Sequence, residues 1–240
     1  MELLARHIES RDPAIPPAIM SHYPDYAPVR KLVTGRRAQP TGLFPSVKNG
    51  RGMEYESSGE RFGFWQAEVE TRVRHYFEQP FTLKWIEAGK RREYTPDRLE
   101  ERTSGWTVIE MKYSAEKKFD ADYTQKLEVA SALLAKIGMR FEVDTAERLK
   151  TSPEFPAIEE IVYSASFVVD QFERVEVAEY LKRRETSSVG ELAELLGGGV
   201  DGRARLLSLV PRRVIALELD GEVKIDTPVS LAEVGLGYVS

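Results

Sequence analysis

Residues 89–112 read GKRREYTPDRLEERTSGWTVIEMK, and the reading of this stretch decides the fold. It opens on Tyr94-Thr95-Pro96-Asp97, passes through a charged connection ending in Ser104-Gly105, and closes on Glu110-Met111-Lys112. The apolar lead-in Trp106-Thr107-Val108-Ile109 predicts a central strand. Side chains two residues apart on a strand share a face, so Glu110 and Lys112 project together. Asp97 closes the preceding segment, and antiparallel pairing across the connection predicts that it lies near Glu110. Two carboxylates and an ammonium on one side of a sheet are costly to bury unless they pair or hold a cation. They are either ordinary hairpin charges or the metal-holding carboxylates and lysine of a hydrolytic site.

The rest of the composition narrows that choice. At 240 residues the chain is long enough for one large domain or two small ones. Its apolar runs fall short of the roughly 20 residues that span a bilayer, and MELLARHIESRD carries acidic residues where a signal peptide would be basic and apolar. A cytoplasmic protein is expected, nucleoid-associated when on DNA. Cysteine is absent, which removes disulfides, thiolate zinc sites and cysteine nucleophiles together. The three histidines, His7, His22 and His75, have no helical metal-pair spacing. Any metal is therefore expected to be hard and oxygen-liganded, Mg²⁺ with Mn²⁺ as substitute. A formal net charge of −5 argues against coating nucleic acid through bulk charge. Yet residues 26–53 contain no acid, while Arg30, Lys31, Arg36, Arg37, Lys48 and Arg51 fall there, either a phosphate-contacting stripe or a solvated loop.

The predicted organisation is an irregular, proline-spotted arm over 1–28, an α/β domain over 29–168 and a small second domain over 169–240. In the first domain, strands are predicted over 29–34, 81–86, 92–98, 106–112 and 139–143, and helices over 54–75, 120–137 and 145–150. That order implies a mixed sheet flanked by helices. The second domain shows a helix over 173–184, a capping box at Ser188-Val-Gly-Glu191 that opens another, and a third from Asp201 to Leu209. The segment VIALELDGEVKI then reads as a hairpin around Asp220-Gly221. Three helices and a hairpin make a winged-helix-like pattern. The Gly197–Gly199 run reads as a helix stop, and Gly235-Leu-Gly237 as tail.

Pro96-Asp97, twelve intervening residues and Glu110-Met111-Lys112 match the PD-(D/E)xK nuclease core. In that reading Asp97 and Glu110 hold Mg²⁺, and Lys112 orients or deprotonates the attacking water. Upstream, Glu56-Ser57-Ser58-Gly59-Glu60 is either an acid-rich first helical turn, favoured by the helix dipole, or the source of a third metal ligand, Glu60. The segments GLFPSVKNGRGMEYESSGER, FEQPFTLKW, GKRREYTPDRL and WTVIEMK, in this order, resemble the TnsA family of transposon endonucleases over about residues 29–150. The resemblance implies a restriction-endonuclease-like fold with a winged-helix C-terminal domain. It further implies Mg²⁺-dependent cutting of the 5′ strands at the ends of a mobile element. A DDE-type, TnsB-like transposase subunit would process the 3′ ends, and an AAA+, TnsC-like regulator would connect the machinery to its target. Carried over by motif, the catalytic set is Glu60, Asp97, Glu110 and Lys112, with Glu60, Asp97 and Glu110 on the metal. Two departures stand out: Arg98 follows Pro-Asp where an apolar residue is usual, and Gly59 and Gly63 interrupt the helix that should present Glu60.

Candidate contacts to double-stranded DNA are Lys48, Arg51, Lys90, Arg92, Arg203 and Arg205. The second domain could equally dock protein. Gln125 and Lys126 open the helix after the catalytic strand, where a phosphate-positioning role and a solvated helix start explain them equally. Two other readings stay open: a stand-alone nuclease of this fold in defence or repair, and a non-catalytic DNA- or protein-binding adaptor.

Overall fold

The computed structural model describes residues 2–30, 41–112 and 120–233. The basic residues Lys31, Arg36 and Arg37, most of the strand predicted over 29–34, and the Gly235–Gly237 tail lie outside them. The chain divides into two compact units, Met1–Pro45 with Gly52–Gly63 and Arg74–Arg148, and Ser46–Arg51 with Phe64–Val73 and Leu149–Ser240. Among the described residues no helix is long and apolar enough to cross a membrane.

The first unit begins with strands where prolines had predicted an irregular arm. β1 (Leu4–Ile8) and β2 (Ala18–His22) pair antiparallel, Leu4 opposite His22. Pro13, Pro16 and Pro17 are confined to the connection, where a missing N–H removes no ladder bond. Burial of Ile8, Ala18 and Met20 anchors the pair. After β3 (Gly42–Ser46), β4 (Arg51–Tyr55), helix α1 (Ser58–Val69) and β5 (Val73–Glu78) come β6 (Phe81–Glu87) and β7 (Lys90–Tyr94). The long helix predicted over 54–75 is thus a strand, a shorter helix and a second strand. β2 pairs with β6, and β6 with β7, giving a four-stranded sheet in the order β1-β2-β6-β7.

The strand predicted over 92–98 is also two strands, and they belong to different sheets. After β7 the chain passes through Thr95-Pro96-Asp97 into β8 (Arg98–Arg102), which pairs antiparallel with β9 (Gly105–Lys112), Arg98 opposite Ile109 and Arg102 opposite Gly105. Pro96 has no N–H and pushes the residue before it toward extended backbone, so a ladder cannot run through it. β9 pairs on its other side, in parallel, with β10 (Arg140–Thr145), after helix α2 (Ala121–Lys136). The order β10-β9-β8-β5 makes β9 an interior strand, as its apolar lead-in predicts. Val108 joins Leu127, Ala130, Leu133 and Leu134 of α2 in the core of this unit. The architecture is mixed α/β, consistent with a restriction-endonuclease-like fold.

Helix α3 (Ala146–Thr151) leads to α4 (Phe155–Ser164), which sequence patterning did not predict, and to α5 (Gln171–Arg184), opened by a capping box between Asp170 and Glu173. β11 (Thr186–Ser188), α6 (Val189–Leu195), α7 (Gly199–Leu207), β12 (Ile215–Leu217) and β13 (Pro228–Leu231) follow, with the strands ordered β11-β13-β12. β12 pairs with β13, Ile215 opposite Leu231, so the arm EVKI is not the hairpin's second strand. Its backbone is used elsewhere: Gly190 N–H donates to Ile225 O at 2.7 Å and Val189 N–H to Thr227 O at 3.1 Å. A turn closed by Lys224 N–H on Thr227 Oγ1 (2.8 Å) keeps it there. Val177, Leu181, Leu192, Leu206, Leu207 and Val229 form the core.

In this second unit Glu68, fully buried, gathers the loop at Ser46–Arg51. Its carboxylate accepts from Ser46 Oγ (2.8 Å), Val47 N–H (2.6 Å) and Lys48 N–H (3.1 Å). Removing an acceptor of buried donors costs about 1–3 kcal/mol per group stranded. Glu68→Ala is therefore expected to lower stability by at least about 2 kcal/mol in urea unfolding, with Glu68→Gln losing less because its amide oxygen keeps part of the set.

Candidate active site

Asp97 sits at the exchange between the two sheets of the first unit, and the antiparallel register carries it opposite Glu110. Its Oδ2 accepts the Met111 N–H at 2.7 Å, which continues the β8–β9 ladder with a side chain where Pro96 ended it. Glu110 is only 5 % exposed. Its carboxylate is held from two directions, Tyr94 Oη donating to Oε2 at 2.8 Å and Tyr123 Oη donating to Oε1 at 2.5 Å. Lys112, two residues on along β9, shares the Glu110 face by strand alternation and is half-buried.

Burial pushes the Asp97 carboxyl well above the usual range, the charges of Glu110 and Glu60 add to the rise, and the Met111 N–H and Arg98 oppose it. Burial raises Glu110 as well, against the hydrogen bonds from Tyr123 and Tyr94 and the charge of Lys126. Both shifts say that the charged forms lack compensation. Tyr94 is driven well above its ordinary value, by burial first and then by the charges of Glu110 and Asp97, so it stays a donor.

Glu60 is close enough for its charge to act on Asp97, but its oxygens serve the start of α1. Oε2 accepts Glu56 N–H at 2.9 Å and Oε1 accepts Ser57 Oγ at 3.1 Å, while Ser57 Oγ accepts Glu60 N–H at 3.1 Å. These bonds cap the start of α1, and Ser57-Ser-Gly-Glu60 carries the capping-box sequence signature, although the carboxylate takes the Glu56 N–H rather than that of Ser57. Burial raises Glu60 too, with the Glu56 N–H and Ser57 bonds opposing. Among the described residues no group of three or more His, Asp or Glu side chains is gathered closely enough to hold a metal. The donor set brought together is the pair Asp97 and Glu110. Two neighbouring carboxylates, each raised by loss of water and Asp97 further by the charge of Glu110, suit a divalent cation, and Mg²⁺ commonly takes one or two protein carboxylates and keeps several waters. The pair therefore fits the metal that a nuclease family suggests.

Residues 70–146 match the family model described as TnsA-like endonuclease N terminal. This segment is similar to the TnsA-like endonucleases. The matched span includes Asp97, Glu110 and Lys112 with both tyrosines, and excludes Glu60. No curated protein matches the chain.

Of the departures from the TnsA pattern, Arg98 and Gly63 form one feature. Arg98 is 2 % exposed, donates from Nε to Glu100 Oε1 at 2.8 Å, and has no partner for Nη1 among the described residues. A Cβ added to Gly63 would stand 2.0 Å from that Nη1 and 3.4 Å from Met111 Sδ. Gly63 is the notch in α1 that admits the guanidinium beside Asp97. Gly59 sits close against Ala146, its added Cβ 3.3 Å from that residue's Cβ.

The basic candidates divide by what they hold. Lys48 Nζ donates to Ala67 O at 2.7 Å and to Glu70 O, at the end of α1. Arg92 pairs with Glu87 and, two-pronged, with Asp122. Arg203 pairs with Glu160 at 2.6 Å, and Arg205 pairs with Glu173 and donates to Leu196 O at 2.8 Å. Arg51 and Lys90 are exposed. Sequence reasoning missed Tyr94 and Tyr123. Tyr94 was visible inside the Tyr-x-Pro-Asp motif, whereas Tyr123 lies on the following helix and left no signal in spacing.

Gly63→Ala should displace the Arg98 side chain and cost about 1–3 kcal/mol as overpacking, and Arg98→Met should relieve most of that loss in a double-mutant cycle of urea unfolding. The sign of the pH dependence follows from Asp97. Its folded value lies above the unfolded value of about 3.9. Between the two values the folded state holds a proton that the unfolded state lacks, so stability falls as pH rises through that window. Asp97→Asn should flatten that fall and leave metal-free protein more stable than wild type at neutral pH, read by urea titrations at pH 5 and pH 8.

Proposed function

We propose that this chain is a metal-dependent DNA endonuclease, the TnsA-like subunit of a heteromeric transposase, which cuts the 5′ strands at transposon ends by phosphodiester hydrolysis. The observation that carries the reading is the pairing of half-buried Asp97 with buried Glu110, with Lys112 following on the same strand face, inside the segment that matches the endonuclease family. Mg²⁺, or Mn²⁺ in its stead, supplies polarisation of the scissile phosphate and stabilisation of the leaving oxygen. Asp97 and Glu110 would hold it. Lys112 orients the attacking water. The water oxygen bonds to phosphorus as the bond to the 3′ oxygen breaks, and that oxygen takes up a proton, leaving a 5′-phosphate and a 3′-hydroxyl. Glu60 acts from α1 as a positioning acid and as a third carboxylate once its capping bonds are exchanged.

Helices α5 to α7 with β11 to β13 are read as a winged-helix-like domain of the same subunit. Two observations favour protein docking over phosphate contact there. Arg203 and Arg205 are tied to Glu160 and Glu173, and the β12–β13 connection carries Glu218, Asp220, Glu222 and Asp226 against Lys224. The partners in this reading are the DNA of the transposon ends, a DDE-type transposase subunit and an AAA+ regulator.

The test is strand-specific cleavage of an end-containing duplex with the transposase subunit present. Asp97→Ala and Glu110→Ala should abolish 5′-strand cutting and leave 3′-end processing intact. Lys112→Ala should slow 5′ cutting by about 10²–10³-fold, the scale for losing one group that stabilises developing charge. Unchanged 5′ cutting in either carboxylate variant would overturn the site.

A further inference from the structure

We propose that Tyr94 and Tyr123 are positioning residues that fix the Glu110 carboxylate for a divalent cation, and that Arg92 keeps Tyr123 in reach by bracing α2 against β6 and β7. This rests on the metal-site reading given above. A carboxylate oxygen offers two acceptor positions. Tyr94 occupies one on Oε2 and Tyr123 one on Oε1, which among the described residues leaves one open on each oxygen. The two hydroxyls arrive from different elements, β7 and the first turn of α2. Together they stop the carboxylate from rotating while both oxygens stay available.

The position of Tyr123 is itself determined at several points. Its backbone N–H donates to the N-cap Asp120 Oδ1 at 2.8 Å, fixing the first turn of α2. The Lys126 ammonium stands 4.3 Å from the centre of its ring. The same helical turn is tied to the sheet through Arg92, which donates from Nη1 to Asp122 Oδ2 at 2.8 Å and from Nε to Glu87 Oε2 at 3.1 Å. Gln125 Nε2 closes the network on Glu87 Oε1 at 3.0 Å. An exposed ion pair stabilises little by itself, but a two-pronged guanidinium–carboxylate contact is directional. Here it sets where α2 begins, and so where the Tyr123 hydroxyl falls. Later turns of α2 pack on Val108 of β9 through Leu127, Ala130, Leu133 and Leu134, while the first turn meets the catalytic strand through the Tyr123 hydroxyl on Glu110. Arg92, a candidate DNA contact by sequence, is in this account committed to the protein.

The experiment is calorimetric titration of Mn²⁺ into the 240-residue chain without DNA, with folding followed by urea midpoint. Tyr123→Phe and Tyr94→Phe should each weaken Mn²⁺ binding by about 10–100-fold, the usual effect of removing a group that orients a metal ligand. Tyr123 is half-exposed, so its variant should keep its fold even if that of the buried Tyr94 suffers. Arg92→Ala should weaken Mn²⁺ binding in the same DNA-free titration, which a pure DNA contact would not do. Loss of urea stability with unchanged or tighter Mn²⁺ binding in Tyr123→Phe overturns the proposal and leaves the metal site standing. Unchanged binding in Arg92→Ala overturns the brace. Glu110→Ala serves as reference: if it binds Mn²⁺ like wild type, the metal-site reading falls and takes the proposal with it.

Discussion

Two carboxylates of like charge, Asp97 and Glu110, are held together at the end of an interior strand, and most of what surrounds them answers that strain. Each neighbouring group that donates to the pair, the Met111 N–H, Tyr94 and Tyr123, lowers the cost of keeping it charged. Arg98 supplies positive charge from behind and is itself satisfied only in part. A folded protein that sought stability alone would replace such a pair with apolar side chains of similar volume. The arrangement has the character of a site in which binding a cation completes the electrostatics.

What the sequence made legible was local. The Pro-Asp and Glu-x-Lys spacing lies within one pair of adjacent strands, and once β8 and β9 pair the register follows from the short connection, so Asp97 and Glu110 could be brought together on paper. The alternation of Val108, Glu110 and Lys112 is a property of strand geometry and needed nothing else. Elements that misled did so for physical reasons. Prolines at 13, 16 and 17 looked like an arm because they sit between two strands rather than in them, and Asp220-Gly221 looked like a tight hairpin although the following backbone is claimed by α6.

What was hidden depends on packing between segments distant in sequence. Arg98 and Gly63 looked like two unrelated blemishes and are one complementary contact. The four paired basic residues Lys48, Arg92, Arg203 and Arg205 carried the charge expected of phosphate contacts, and only the fold reveals the carbonyls and carboxylates that engage them. Glu60 had a signature that was present all along, the Ser-x-x-Glu of a capping box, and its two uses compete for the same oxygens.

The change of sheets at Pro96 has a consequence for how the chain reaches its active form. β6–β7 and β8–β9 are each hairpins of neighbouring sequence, able to form early and independently. Glu110 is held by a tyrosine from the first hairpin while sitting at the open end of the second, and by another from a helix that follows both. No single hairpin, nor either sheet alone, contains the complete set of groups. A half-folded chain, even one with much of its secondary structure in place, therefore lacks the assembled site, which arises only with the finished fold.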